Sequence, residues 1–107
     1  MKQYSEYSQY PDTFIPYTND STLVNYNVEE ITKEIEGETI TMYKCEYVIV
    51  NNVTEGDIVD AMLRTKYSMS QEFAILRQRD SKSEEFNEYN TFAEQCKTIA
   101  KSLLVNN

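Results

Sequence analysis

The side chains able to do chemistry are two cysteines, Cys45 and Cys96, scattered serines and lysines, and eighteen carboxylates; there is no histidine. Without imidazole there is no Ser–His or Cys–His pair, no catalytic triad and no imidazole metal ligand. Gly37 and Gly56 are the only glycines, so no glycine-rich loop can cradle a phosphate. The cysteines form no CxxC, which argues against a zinc site, and their patterns place both on faces that can be buried as reduced thiols. Nine acidic residues stand against two basic ones between Asn27 and Asp60, but they lack the ligand spacing of a calcium loop and read as a solvated face. No nucleophile stands beside a base at a recognisable spacing. The expectation is a non-enzymatic protein with no catalytic residue, no metal and no cofactor.

The elements that position these side chains read as α+β. Residues 1–20 contain Tyr4, Tyr7, Tyr10, Phe14 and Tyr17 with Pro11 and Pro16. Two prolines among polar residues disfavour a helix or a central strand, so an irregular Tyr-rich arm is expected ahead of a domain spanning 21–107. Its tyrosines either fold onto the domain or dock on a partner, since tyrosine supplies large contact area at low entropic cost. Leu23 to Ile35 and Glu38 to Val50 read as a β-hairpin turning at Glu36-Gly37. The apolar phase shifts from Val24, Tyr26 and Val28 to Ile31 and Ile35, which predicts a bulge or twist near Glu29-Glu30. Val48-Ile49-Val50 is apolar on both faces and is expected to be covered on both. Two strands alone are marginal, so either the arm adds a third strand or helices cover the sheet.

Three helices follow, the last longest. Thr54 caps the first, over 54–66, and Val53 and Ile58 are placed to staple it. The second, over 70–79, carries Phe73, Ala74, Ile75 and Leu76. Ser81 and Ser83 are both candidate caps for the third, with Ser81 and Glu84 spaced as a capping box. Glu84, Glu85 and Glu88 suit its start, and Lys97 and Lys101 its end. Its apolar positions, Phe86, Tyr89, Ala93, Cys96, Ala100 and Leu103, are spaced three and four apart. They are either a core-facing stripe or a self-association seam, the second implying a homo-oligomer; the run is shorter than the three to four heptads a coiled coil wants.

A chain of 107 residues is long enough to bury an ordinary core. Its net charge of −8 argues against nucleic-acid or anionic-membrane partners. No apolar run approaches the ~20 residues of a membrane span, and MKQYSEYSQY lacks a signal-peptide core. A cytoplasmic protein, or one packaged from a cytoplasm, is expected. From Ala61 to Lys82 the charge reverses: Arg64, Lys66, Arg77, Arg79 and Lys82 face only Glu72 and Asp80. This net-basic stretch either balances the acidic segments or faces an acidic partner or a phosphate.

The segment Leu63 to Lys101, with its elements KYS, EFAILRQRD and EEFNEYN, resembles a group of small proteins found beside tail genes in phages and prophages. QYPDTFIPY and EIEGETITMYKCEYVIV also look like that group, and a more distant similarity is to XkdW-like prophage proteins. Such sequences often carry proline at the position of Ser83. The resemblance implies a genomic context, the phage tail module, and no activity. It suggests an accessory protein acting by protein–protein contact, as a minor tail component or tail assembly factor whose partner is a phage tail protein. Its place would be the host bacterial cytoplasm, with incorporation into the virion as a further option. The alternative is a host-modulating or regulatory binding protein.

Overall fold

The computed structural model describes residues 2–105, which form two compact units: Lys2–Asn52, and a helical unit beginning at Val53. The first is a four-stranded antiparallel sheet of β1 (Gln3–Tyr7), β2 (Phe14–Thr18), β3 (Ser21–Ile35) and β4 (Glu38–Val50), in the order β1-β4-β3-β2. The second holds α1 (Glu55–Arg64), α2 (Met69–Arg77) and α3 (Ser83–Val105). The class is α+β, with the longest helix last.

The β3–β4 hairpin turns where its sequence requires. Glu36 and Gly37 have φ of 53° and 83°, the paired left-handed conformation of a two-residue hairpin loop. A bulge falls just before the expected position. Tyr26 pairs with Glu46 and Glu29 with Lys44, which leaves Asn27 and Val28 opposite Cys45. Asn27 takes a φ of 51°, which asparagine tolerates better than most residues. Its side-chain amide donates to Glu46 Oε2 at 2.7 Å. The extra residue shifts the side-chain phase by one. Ile31 and Ile35 therefore continue the face begun by Val24 and Tyr26.

Residues 2–20 are not an irregular arm. They supply both edge strands, and the boundary between compact units falls after Asn52 rather than near residue 20. Edge strands tolerate proline because one row of their amides has no ladder partner; Pro16 lies in β2, at the outer edge beside β3. β1 and β2 occupy opposite edges, so residues 8–13 must cross one face of the sheet. Pro11 is buried in that crossing. Tyr10 sets its ring edge-on to Tyr43, with centroids 5.5 Å apart.

Asn25 anchors the crossing and is only 2% exposed. Its backbone amide donates to Thr13 O at 2.8 Å and its Nδ2 to Asp12 O at 2.9 Å. Its Oδ1 accepts from the Cys45 thiol at 3.3 Å and from the Tyr7 hydroxyl at 3.4 Å. A buried amide with donor and acceptor both engaged is tolerated where an unpaired one is costly. Val24, Tyr26, Val48 and Val50 are buried. Ile49 is 39% exposed, so this end of β4 is not covered on both faces as its sequence suggests.

In the helical unit the Thr54 hydroxyl accepts from the Asp57 amide at 3.2 Å, capping α1 as expected. Ile58, Met62 and Leu63 are the buried residues of α1, which packs along α3. The expected Ser81 box does not form. The Ser81 hydroxyl donates to Gln78 O, and the Phe86 amide bonds to Lys82 O, so helical pairing begins from Lys82. Ala93, Cys96 and Ala100 are buried; Phe86, Tyr89 and Leu103 are half-buried. Cys45 and Cys96 are not joined in a disulfide. No helix among the described residues is long and apolar enough to cross a membrane.

Candidate interaction surface

α2 begins at a capping box absent from the sequence reading. The Ser68 hydroxyl accepts from the Gln71 amide at 3.1 Å, and Gln71 Oε1 accepts from the Ser68 amide at 2.8 Å. This pair fixes the helix start one residue ahead of 70. Glu72 and Ile75 then take the inner side, while Met69, Phe73 and Leu76 fall on the outer side. The three are 58%, 57% and 41% exposed, and no residue of α2 is buried. Spaced by four and three, they form one continuous stripe.

The inner side of α2 is held by ion pairing rather than by a deep apolar contact. Arg64 of α1 donates through Nη2 to Glu72 Oε1 at 2.6 Å and to Asp60 Oδ1 at 3.1 Å. The Tyr89 hydroxyl of α3 donates to Glu72 Oε2. Tyr67 stands edge-on to Tyr89 and Phe92, with centroids 5.3 and 6.0 Å away, and Lys66 lies over the Phe92 ring at 5.0 Å. The Tyr89 bond, with help from Arg64, holds the Glu72 carboxyl below its ordinary value. Burial, then the Glu72 contact, pushes the Tyr89 hydroxyl up to about 12. Hydrogen bonding to Glu72 raises Arg64 further.

Tyr89→Phe will therefore cost about 1.5–3 kcal/mol at neutral pH, the range for a hydrogen bond to a charged group. Glu72 contributes stability that is present above its ordinary 4.5 and lost as pH falls through its lower folded value. Tyr89 contributes stability present below pH 10 and lost as pH rises through about 12. Thermal unfolding across pH checks this. The variant should show a lower Tm, a shallower acid limb and no Tyr89 contribution to the alkaline limb. A wild-type profile would contradict the assignment.

The basic stretch divides into two parts. Arg64 is committed to Asp60 and Glu72, and Lys66 lies over aromatic rings. Arg77, Arg79 and Lys82 outnumber the one carboxylate among them, Asp80; all four are exposed and, among the described residues, in no ion pair. They follow the Met69–Leu76 stripe directly. The result is an apolar strip with a cationic end, suited to an apolar and acidic partner surface.

The residues singled out from sequence do not form this surface. Tyr4, Tyr10 and Tyr17 are exposed and Tyr7 and Phe14 half-buried, but they are spread over both edge strands and the crossing between them. The register puts Tyr4 on the face opposite Tyr7. They are parts of the sheet rather than one docking arm. The Phe86–Leu103 seam is buried or half-buried along its length, as a core-facing stripe would be. The α2 stripe was legible as an apolar run. The Ser68-x-x-Gln71 box was the signal that could have set its start.

Comparison of the chain with protein-family models, with curated proteins and with solved structures finds no match. Among the described residues, no three Cys, Asp or Glu side chains gather where they could hold a metal ion.

Proposed function

We propose that this chain is a non-enzymatic accessory protein that works by protein–protein contact, with the outer face of α2 as its contact surface. The exposed Met69–Phe73–Leu76 stripe carries the proposal: an ordered helix with three large apolar side chains on its open face is a helix built to be covered. The resemblance of the same stretch to proteins encoded beside phage tail genes supports a place in a phage or prophage tail module. There it would be a minor tail component or an assembly factor.

The test is co-expression of the tagged full-length chain with phage tail proteins. Phe73→Asp leaves the fold intact, because the ring is more than half exposed. A tail protein retained by the wild type should be lost by at least about tenfold in the variant, since a central aromatic contact is worth 2 kcal/mol or more. Retention of no tail protein, or equal retention by both chains, would sink the proposal.

A further inference from the structure

The sheet unit carries a surface complementary to α2. β1 pairs with β4 only from Tyr43 to Tyr47, and β2 pairs with β3 only from Ser21 to Val24. From Ile31 opposite Met42 to Ile35 opposite Glu38, β3 and β4 pair with each other alone. The register puts Ile31, Ile35, Ile40 and Met42 on one face of this two-stranded ribbon. Ile35, beside the turn, is 50% exposed. The tip also holds Glu34, Glu36 and Glu38, all exposed and, among the described residues, in no ion pair. Lys33, the cation among them, is already paired with Glu6 at 2.5 Å.

One chain thus presents an apolar ribbon with an acidic tip and an apolar helix face with a basic end. We infer that the occupant of the α2 face is the β3–β4 ribbon tip of a second copy of this chain. The inference rests on the reading of α2 as a contact face and names what covers it. Charge selects this geometry. Copies carrying −8 repel on average, so a copy is drawn to its neighbour where unpaired cations cluster, at Arg77, Arg79 and Lys82. It is drawn there by its own unpaired carboxylates at the tip. Ile35 then meets the Phe73–Leu76 stripe. The two surfaces differ, so the contact is head-to-tail and builds a ring where the rotation closes or a filament where it does not.

The test is solution mass by light scattering on the full-length chain, over a concentration series at low and high salt. One triple variant carries Arg77→Glu, Arg79→Glu and Lys82→Glu; the other carries Glu34→Lys, Glu36→Lys and Glu38→Lys. All six positions are exposed, so both fold, as far-UV circular dichroism will confirm. The wild type should associate with rising concentration and less at high salt. Each triple variant alone should have its association weakened at least tenfold, because like charges then face each other. Mixed in equal amounts, the two should associate again, since each tip now matches the other's helix end. A wild type that stays monomeric throughout overturns the inference, as do triple variants that associate like the wild type or a mixture that stays apart. Phe73→Asp separates this from the broader reading. A monomeric wild type whose tail-protein capture still depends on Phe73 leaves α2 as a contact face with another occupant. Association indifferent to Phe73→Asp removes α2 itself.

Discussion

Deleting residues 1–17 will unfold the sheet unit rather than trim a loose arm. The deletion removes all of β1, all but the last residue of β2 and the crossing between them. β3 and β4 are left without their edge strands, and two paired strands are marginal where four were built. Both lose their outer partners. Asn25 loses Asp12 O, Thr13 O and the Tyr7 hydroxyl at once, and keeps only the Cys45 thiol among these partners. A domain of this kind has about 5–15 kcal/mol in hand, and stripping two of four strands is expected to consume all of it. Hydrogen exchange of the β3 and β4 amides measures the outcome: protection in the full chain should vanish in the truncated one. Protected amides in the truncated chain would show that the hairpin stands without its edges. The same result bears on function, because a truncation that unfolds the sheet says nothing about whether the tyrosines touch a partner.

Asn25→Asp will be the most damaging single substitution in the sheet unit among those that preserve side-chain size. The amide donates from Nδ2 to Asp12 O and accepts at Oδ1 from Cys45 and Tyr7. A carboxylate keeps both acceptor contacts and loses the donor. It places an oxygen against the Asp12 carbonyl and a charge at a site 2% exposed. Asn25→Ala, which only leaves groups unpaired, should cost about 1–3 kcal/mol; the carboxylate should cost more at neutral pH. The excess is pH-dependent. Burial without a cationic neighbour raises the folded-state pKa of the introduced acid above the ~3.9 of an unfolded chain. The folded state then holds its proton to higher pH than the unfolded state does. Stability relative to the wild type therefore falls as pH rises from about 4 to the folded-state value and is level above it. Denaturant unfolding at several pH values reads this directly. A variant as stable as the wild type at neutral pH, or one whose deficit does not shrink in acid, would show that Asn25 is not the anchor of the crossing.

The sequence alone determined the features that depend on neighbours along the chain. Glu36-Gly37 made the hairpin turn because the loop demands positive φ at both positions. The slipped apolar phase after Tyr26 announced the bulge, because side chains alternate with a strict period of two. Thr54 capped α1 because its hydroxyl needs only the amide three residues on. The three-four spacing of α3 picked out one apolar stripe, and α3 buries Ala93, Cys96 and Ala100 along it.

The tertiary structure decided what depends on distant partners. Edge strands bury little and so print little pattern; β1 and β2 became strands because β4 and β3 offered open ladders. Asn25 looks like any polar strand residue until the crossing brings the Asp12 carbonyl to its side-chain amide. Arg64 reads as a surface cation until α2 and α3 bring Glu72 and Tyr89 beside it. The contact surface proposed for α2 is of the same kind. Met69, Phe73 and Leu76 are as apolar as any core run, and the Arg64–Glu72–Tyr89 network, by holding the opposite side of α2 inward, turns them outward. A periodic pattern names the residues that share a helix face; which face is left open is settled by groups far apart in sequence that compete to pack on the other.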